Sequence, residues 1–261
     1  MYDWWTVLWQ NLTQPQLWPE LLRKIRNRVD ARRSHPDDLV ELRALARPWQ
    51  EILVELFGED AVARAQADTT EFEALVRELQ EKERACPVRL GGGAHTRLLY
   101  LLTRLGRPQV VVETGVAYGW SSASVLLGLA QNGCGRLYSS DLPYPKIPRA
   151  ADYAGWVVPE RLRRYWTLRL GPDRQNLPEM LRGLDRINLV HYDSDKSWHG
   201  RLWAARLLWP KLDAGGLFVA DDIQDNRAFL EFCALQGVTA LVTEYQGKYI
   251  GICRKPGAGS A

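Results

Sequence analysis

Four short runs, VVVETG, RLYSSD, INLVHYD and GGLFVADD, each carry an acidic residue at their end: Glu113, Asp141, Asp193 and the pair Asp221-Asp222. Runs of this kind, rich in Val, Ile and Leu, read as buried parallel strands. Open α/β sheets bind ligands just outside the carboxyl ends of their strands. A single carboxylate there can be a by-product of chain reversal, but several in register define a polar crevice. Asp193, Asp221 and Asp222 leave two strand ends together, so they offer a divalent ion such as Mg²⁺ the hard oxygen donors it takes, with water completing the shell. The competing reading gives Asp193 or Asp222 to a helix cap or an organic ligand, without a metal.

The turn after the first run, ETGVAYGWSS, has the spacing E-x-G-x-x-x-G. Gly115 permits a tight turn and a close backbone approach. Gly119 and Ser121 open the next helix, whose N-terminus favours an anionic group. The spacing is not the G-x-G-x-x-G of dinucleotide dehydrogenases, which argues against an oxidoreductase. Asp141, ending the second strand, is placed to accept both hydroxyls of a ribose. Three histidines come under consideration. His191 sits inside a strand and reads as a core residue, His199 is a candidate base, and His95, after a triple glycine, is a candidate lid residue.

The elements that must position these residues follow from the pattern around them. Strands end near Glu113, Asp141, Gly171, Asp193 and Asp222, with helices between them, notably Ser121–Gly133, Leu177–Leu184 and Gly200–Leu208. Such alternation implies a parallel sheet with helices on both faces, a Rossmann-like α/β fold. The segment TALVTEYQGKYIGICRK reads as two further strands around Gln246-Gly247, an antiparallel tail. Residues 1–85 read as helical. Leu17, Leu21, Leu22 and Ile25 recur at helical spacing, further helices run from about Pro48 to Phe57 and from Thr69 or Thr70, with Glu73 placed for a capping box, and another runs from Thr96 to Leu105. The expected division is a helical cap over 1–90 that helps form an acceptor pocket, a ligand-binding domain over 91–255, and a disordered tail over 256–261.

Composition narrows the class. A net charge of +3 over 261 residues is too small for a nucleic-acid partner, where a basic stripe is expected. Cys86, Cys134, Cys233 and Cys253 form no C-x-x-C pair and read as reduced thiols, so the expected compartment is the cytoplasm. No run approaches the ~18 apolar residues of a membrane span. The chain holds 11 Trp and only 5 Phe, with Trp4, Trp5, Trp9 and Trp18 near its start. Beside Arg23, Lys24, Arg26 and Arg28 they suit either a packed cap and subunit interface or a helix lying on a membrane surface.

The motifs ETGVAYGWSS, HYDSDKSWHG and GGLFVADDIQDN resemble class I methyltransferases that use S-adenosylmethionine (SAM). They are similar to small-molecule O-methyltransferases of the catechol and caffeoyl-CoA type, and closer still to bacterial relatives in the group that includes cephalosporin-hydroxylase-like and macrolide sugar methyltransferases. The resemblance covers roughly residues 107–226. It implies that Glu113, Gly115, Gly119 and Ser121 face the methionine part of SAM, Asp141 the ribose and Asp173 the adenine edge, with Asp193 also close to the cofactor. It implies Mg²⁺ on Asp193, Asp221 and Asp222, although the family pattern has Asn where this chain has Asp222; Asp-Asp occurs in the sugar-modifying branch. It places at Lys196 the lysine that assists deprotonation of the acceptor hydroxyl, with His199 as the alternative. The implied activity is methyl transfer to a hydroxyl of a small molecule or sugar by a homo-oligomeric enzyme. The alternatives are metal-independent N- or O-methylation, and a non-catalytic SAM-binding protein docked on a membrane.

Overall fold

The computed structural model describes residues 36–91 and 93–257, together with Trp18, Leu22 and Arg23. Trp4, Trp5 and Trp9, the repeat through Leu17, Leu21 and Ile25, and the tail beyond Gly257 lie outside the described residues, and with them most of the region on which the membrane-surface reading rests.

Seven strands form one sheet: β1 Val110–Thr114, β2 Arg136–Asp141, β3 Trp166–Leu170, β4 Ile187–Tyr192, β5 Leu212–Ala220, β6 Leu241–Tyr245 and β7 Lys248–Arg254. Their order is β3-β2-β1-β4-β5-β7-β6. All pairings from β3 to β5 are parallel, and β7 runs antiparallel to both β5 and β6. This is the Rossmann-like parallel sheet with an antiparallel tail that the alternating pattern implied. Gln246 and Gly247 both take positive φ, 52° and 77°, which suits the two-residue I′ turn of a hairpin.

Strand residues alternate between two cores, as a period of two requires when both faces are covered. Val111, Leu189 and Leu217 face one core, while Val112, Val190 and Phe218 face the other. The first face is covered by α2 Trp49–Phe57, α4 Thr70–Arg84, α5 Thr96–Gly106 and α6 Trp120–Asn132. The second is covered by α8 Asp173–Arg182, α9 Trp198–Leu208 and α10 Ala228–Gln236, with Leu42 of α1 Pro36–Leu45. Two short helices complete the set, α3 Glu59–Ala67 and α7 Glu160–Arg163. On α5, Leu98, Leu99, Leu101 and Leu102 are all buried, so cutting any one to Ala should cost ~2–5 kcal/mol.

The described helices before residue 90 share the core of the sheet: Ile52, Leu53, Phe72, Leu75 and Leu79 join the cluster that contains Val111 and Leu137. Two local expectations fail. Thr69 does precede α4, but its side chain makes no cap bond, and Glu73 pairs with Arg97 and so does not complete a capping box. The helix α10 was not anticipated; AFLEFCALQ is apolar around most of its circumference and so lacks an amphipathic period.

Candidate active site

Strand register brings the acidic ends together. Thr114 lies opposite Ser140 on one side and Tyr192 on the other, and Tyr192 lies opposite Ala220. The residues that follow these positions therefore leave the sheet side by side: Gly115, Asp141, Asp193 and Asp221. Beside them opens a cavity of about 350 Å³, walled by Gly115, Ser121, Asp141, Asp173, Asp193 and Lys196 among others. Six expected site residues thus share one cavity.

Each is held by local bonds. Asp141 Oδ1 accepts from the backbone N–H groups of Val116 (2.9 Å) and Ala117 (3.4 Å), bracing the turn after β1. Asp173 Oδ1 accepts from the Ser140 hydroxyl at 2.6 Å. Gly115 has φ +80°, and a Cβ there would meet the carbonyl oxygen of Asp193 at 2.4 Å. The close approach that requires glycine is therefore to the β4 loop. The first turn of α6, whose cap residue offers no side-chain bond, borders the cavity at Trp120 and Ser121.

Four of the expected residues lie off the cavity wall. Glu113 is fully buried and lies off the cavity wall. Its carboxylate is taken by the hydroxyls of Ser121 (2.6 Å), Ser122 (2.6 Å) and Ser139 (2.7 Å), with His191 Nδ1 at 3.4 Å. Burial pushes this carboxyl up, but His191 and the serine donors outweigh burial and leave it below the usual carboxylate range. Burial alone would depress His191, yet the hydrogen bond and charge of Glu113 hold it above its ordinary value. Gly119 also lies off the wall: a Cβ on it would strike Val158 at 2.6 Å and Gly155 at 2.9 Å, so its role is packing. His199 is exposed, its ring edge-on to Trp198 at 5.0 Å, because the turn of α9 that buries Gly200 and Arg201 turns His199 to solvent. His95 is no lid: it is buried, stacks on Tyr245 at 4.1 Å, and caps α5 by accepting from Leu98 N–H. Burial lowers it to about 4.

Asp193, Asp221 and Asp222 each offer one carboxylate oxygen, and these lie within 4.8 Å of one another. Burial first, and then the charge of Asp221, raise Asp193 above the usual carboxylate range, with Lys196 and His191 opposing. Lys196 Nζ lies 2.8 Å from Asp193 Oδ1 and also contacts Asp222 Oδ2. The contact to Asp193 is off the hydrogen-bond direction, and Oδ1 is a buried oxygen without a hydrogen-bond donor. A buried acceptor left in that state is costly, and an ion coordinated by all three carboxylates would satisfy it. The donor set therefore fits a divalent cation.

Several residues were not anticipated. Arg201 is buried and donates to the backbone carbonyls of Asp221 (2.9 Å) and Asp222 (2.7 Å) and, from Nε, to that of Lys196 (3.3 Å), tying the two acidic loops together. Lys248 borders the cavity and meets Asp222 Oδ1 at 3.0 Å. Tyr118 accepts from Leu90 N–H at 3.1 Å and donates to the Val88 carbonyl at 2.9 Å, while Tyr144 accepts from Gly91 N–H at 3.1 Å. These bonds tie the start of the glycine run to the cavity rim. Burial and the charges of Asp141 and Asp193 raise the Tyr144 phenol. Arg23, from the N-terminal region, pairs with Asp195 of the cavity wall and holds that carboxyl below the usual range against the opposing effect of burial. Apart from the bond between Arg201 and Lys196, these contacts join residues distant in sequence, so no local motif marks them.

Residues 112–223 match the model of a family described as a methyltransferase domain. The match covers most of the stretch that carries the three motifs, and it agrees with their resemblance to class I methyltransferases. Among solved structures, the chain is similar to an O-methyltransferase from Bacillus cereus in complex with S-adenosylhomocysteine (SAH), at 19% identity over 70% of this chain and 91% of that one, TM-score 0.55. The O-methyltransferase TomG from Streptomyces achromogenes, involved in tomaymycin synthesis and solved with SAM, matches at 19% identity over 71% and 90%, TM-score 0.53. A methyltransferase from Geobacter sulfurreducens matches at 17% over 74% and 94%, TM-score 0.53. No curated protein matches the chain by sequence. Among the described residues, no helix is long and apolar enough to cross a membrane.

Proposed function

We propose that the protein transfers a methyl group from SAM to a hydroxyl oxygen of a small molecule or sugar, with a divalent cation on Asp193, Asp221 and Asp222. The carrying observation is that Ser121, Asp141, Asp173, Asp193 and Lys196 wall one cavity beside that carboxylate trio. SAM supplies an electrophilic methyl, and a bound Mg²⁺ would lower the pKa of the acceptor hydroxyl and fix its direction. Methyl transfer is an in-line displacement, so the chain's contribution is alignment and activation of the oxygen. Asp141 takes the ribose diol, Asp173 the adenine edge, and the first turn of α6 the methionine carboxylate, a reading supported by their sharing one cavity wall. Lys196 takes the acceptor proton or stabilises the oxygen as that proton leaves. Residues 1–90 act as the acceptor cap, a reading supported by the ion pair of Arg23 with Asp195 of the cavity wall, and the enzyme is a homo-oligomer.

The test is release of SAH from SAM with a panel of hydroxylated acceptors, before and after exhaustive chelation. Activity should fall on chelation and return with Mg²⁺. Full activity without the ion would assign the enzyme to the metal-independent class.

A further inference from the structure

The acidic trio contains a second cation for which the reaction above has no use. Lys248 is the first residue of β7 and follows the Gln246-Gly247 turn, so the hairpin fixes where its side chain begins. Its Nζ lies 3.0 Å from Asp222 Oδ1 and 3.4 Å from Oδ2. Lys196 reaches the same carboxylate at Oδ2. Asp222 is held firmly: its side chain is 7% exposed, its φ is 52°, and Arg201 grips its carbonyl. One buried carboxylate thus carries an ammonium on each oxygen, and a divalent ion on the trio needs one of those oxygens.

We infer that Lys248 is a resident counter-cation, competing with the divalent ion for Asp222 and so setting the ion affinity of the cluster. The inference rests on the metal reading above. With Lys248 in place, an incoming ion must displace its ammonium or bind against its charge. The Lys248 side chain is 46% exposed, so solvent moderates the effect, and removing the ammonium should tighten ion binding by roughly three- to tenfold.

The experiment titrates the full-length protein with Mn²⁺ and follows free ion by electron paramagnetic resonance. It compares wild type with K248M, K248R and K146M, since Lys146 is an exposed lysine with no contact to the trio and its loss changes net charge equally. Far-UV circular dichroism and a cooperative thermal transition confirm that each variant is folded. K248M should bind Mn²⁺ three- to tenfold more tightly, while K248R and K146M stay near wild type. Unchanged or weaker binding by K248M, or an equal gain in K146M, would overturn the inference and leave the metal reading standing. If no variant binds Mn²⁺ while all bind SAH, the metal reading and this inference fall together.

Discussion

Two acidic centres lie at neighbouring strand ends, and their surroundings differ in one respect. Glu113 receives three serine hydroxyls and His191, so a fully buried carboxylate is fully satisfied. Asp193, Asp221 and Asp222 crowd together around two lysine ammoniums, with one buried oxygen still lacking a donor. The first centre binds β1, β2, β4 and α6 together and has no capacity left for a ligand. The second has an electrostatic deficit that a cation or substrate can meet. Position at a strand end is therefore not what makes a carboxylate functional; the balance of donors against charge is.

The largest expected effect lies at the second centre. Lys196→Met should lower kcat by ~10²–10⁴, the range of a general base, with SAH affinity little changed, measured as SAH release against the acceptor panel. His199→Ala, on the solvent side of α9, should change kcat by no more than a fewfold. The reverse pattern would exchange their roles.

The first centre should answer in stability and not in chemistry. Glu113→Gln leaves His191 buried beside a neutral partner, and breaking such a pair costs ~3–5 kcal/mol. Urea unfolding should show that loss. A variant of unchanged stability with lost SAH binding would place Glu113 back on the ligand.

A smaller effect concerns His95. Its folded value of about 4 lies below its ordinary 6.5, so between those values the unfolded chain takes up a proton and the folded chain does not. Stability should therefore fall as pH drops from 6.5 towards 4, by at most about 1.4 kcal/mol per pH unit. His95→Asn keeps a capping side chain and should flatten that limb; urea midpoints across the window compare the two. Identical slopes would mean that His95 is not the responsible group.

This contrast also explains what was legible in the sequence. The strands announced themselves because buried parallel strands are short β-branched runs closed by turn residues, and register then aligned Asp141, Asp193 and Asp221 at one edge. What could not be read was the far side of each contact. Ser139 and His191 claim Glu113 from elements distant in sequence, and Gly155 and Val158 account for Gly119. Arg201 and Lys248 reach the acidic loops from α9 and β7. His199 carries the residue type of a base, but the first turn of α9 faces it to solvent.

The account depends first on the cavity beside the second centre being the cofactor site, and calorimetry with SAH tests that most directly. Wild type should bind with micromolar affinity, and Asp141→Ala should weaken binding by ~1.5–3 kcal/mol, as expected for lost hydrogen bonds to a charged group. Folded wild-type protein that gives no binding heat with SAH or SAM, or an Asp141→Ala variant that binds as well as wild type, would contradict it.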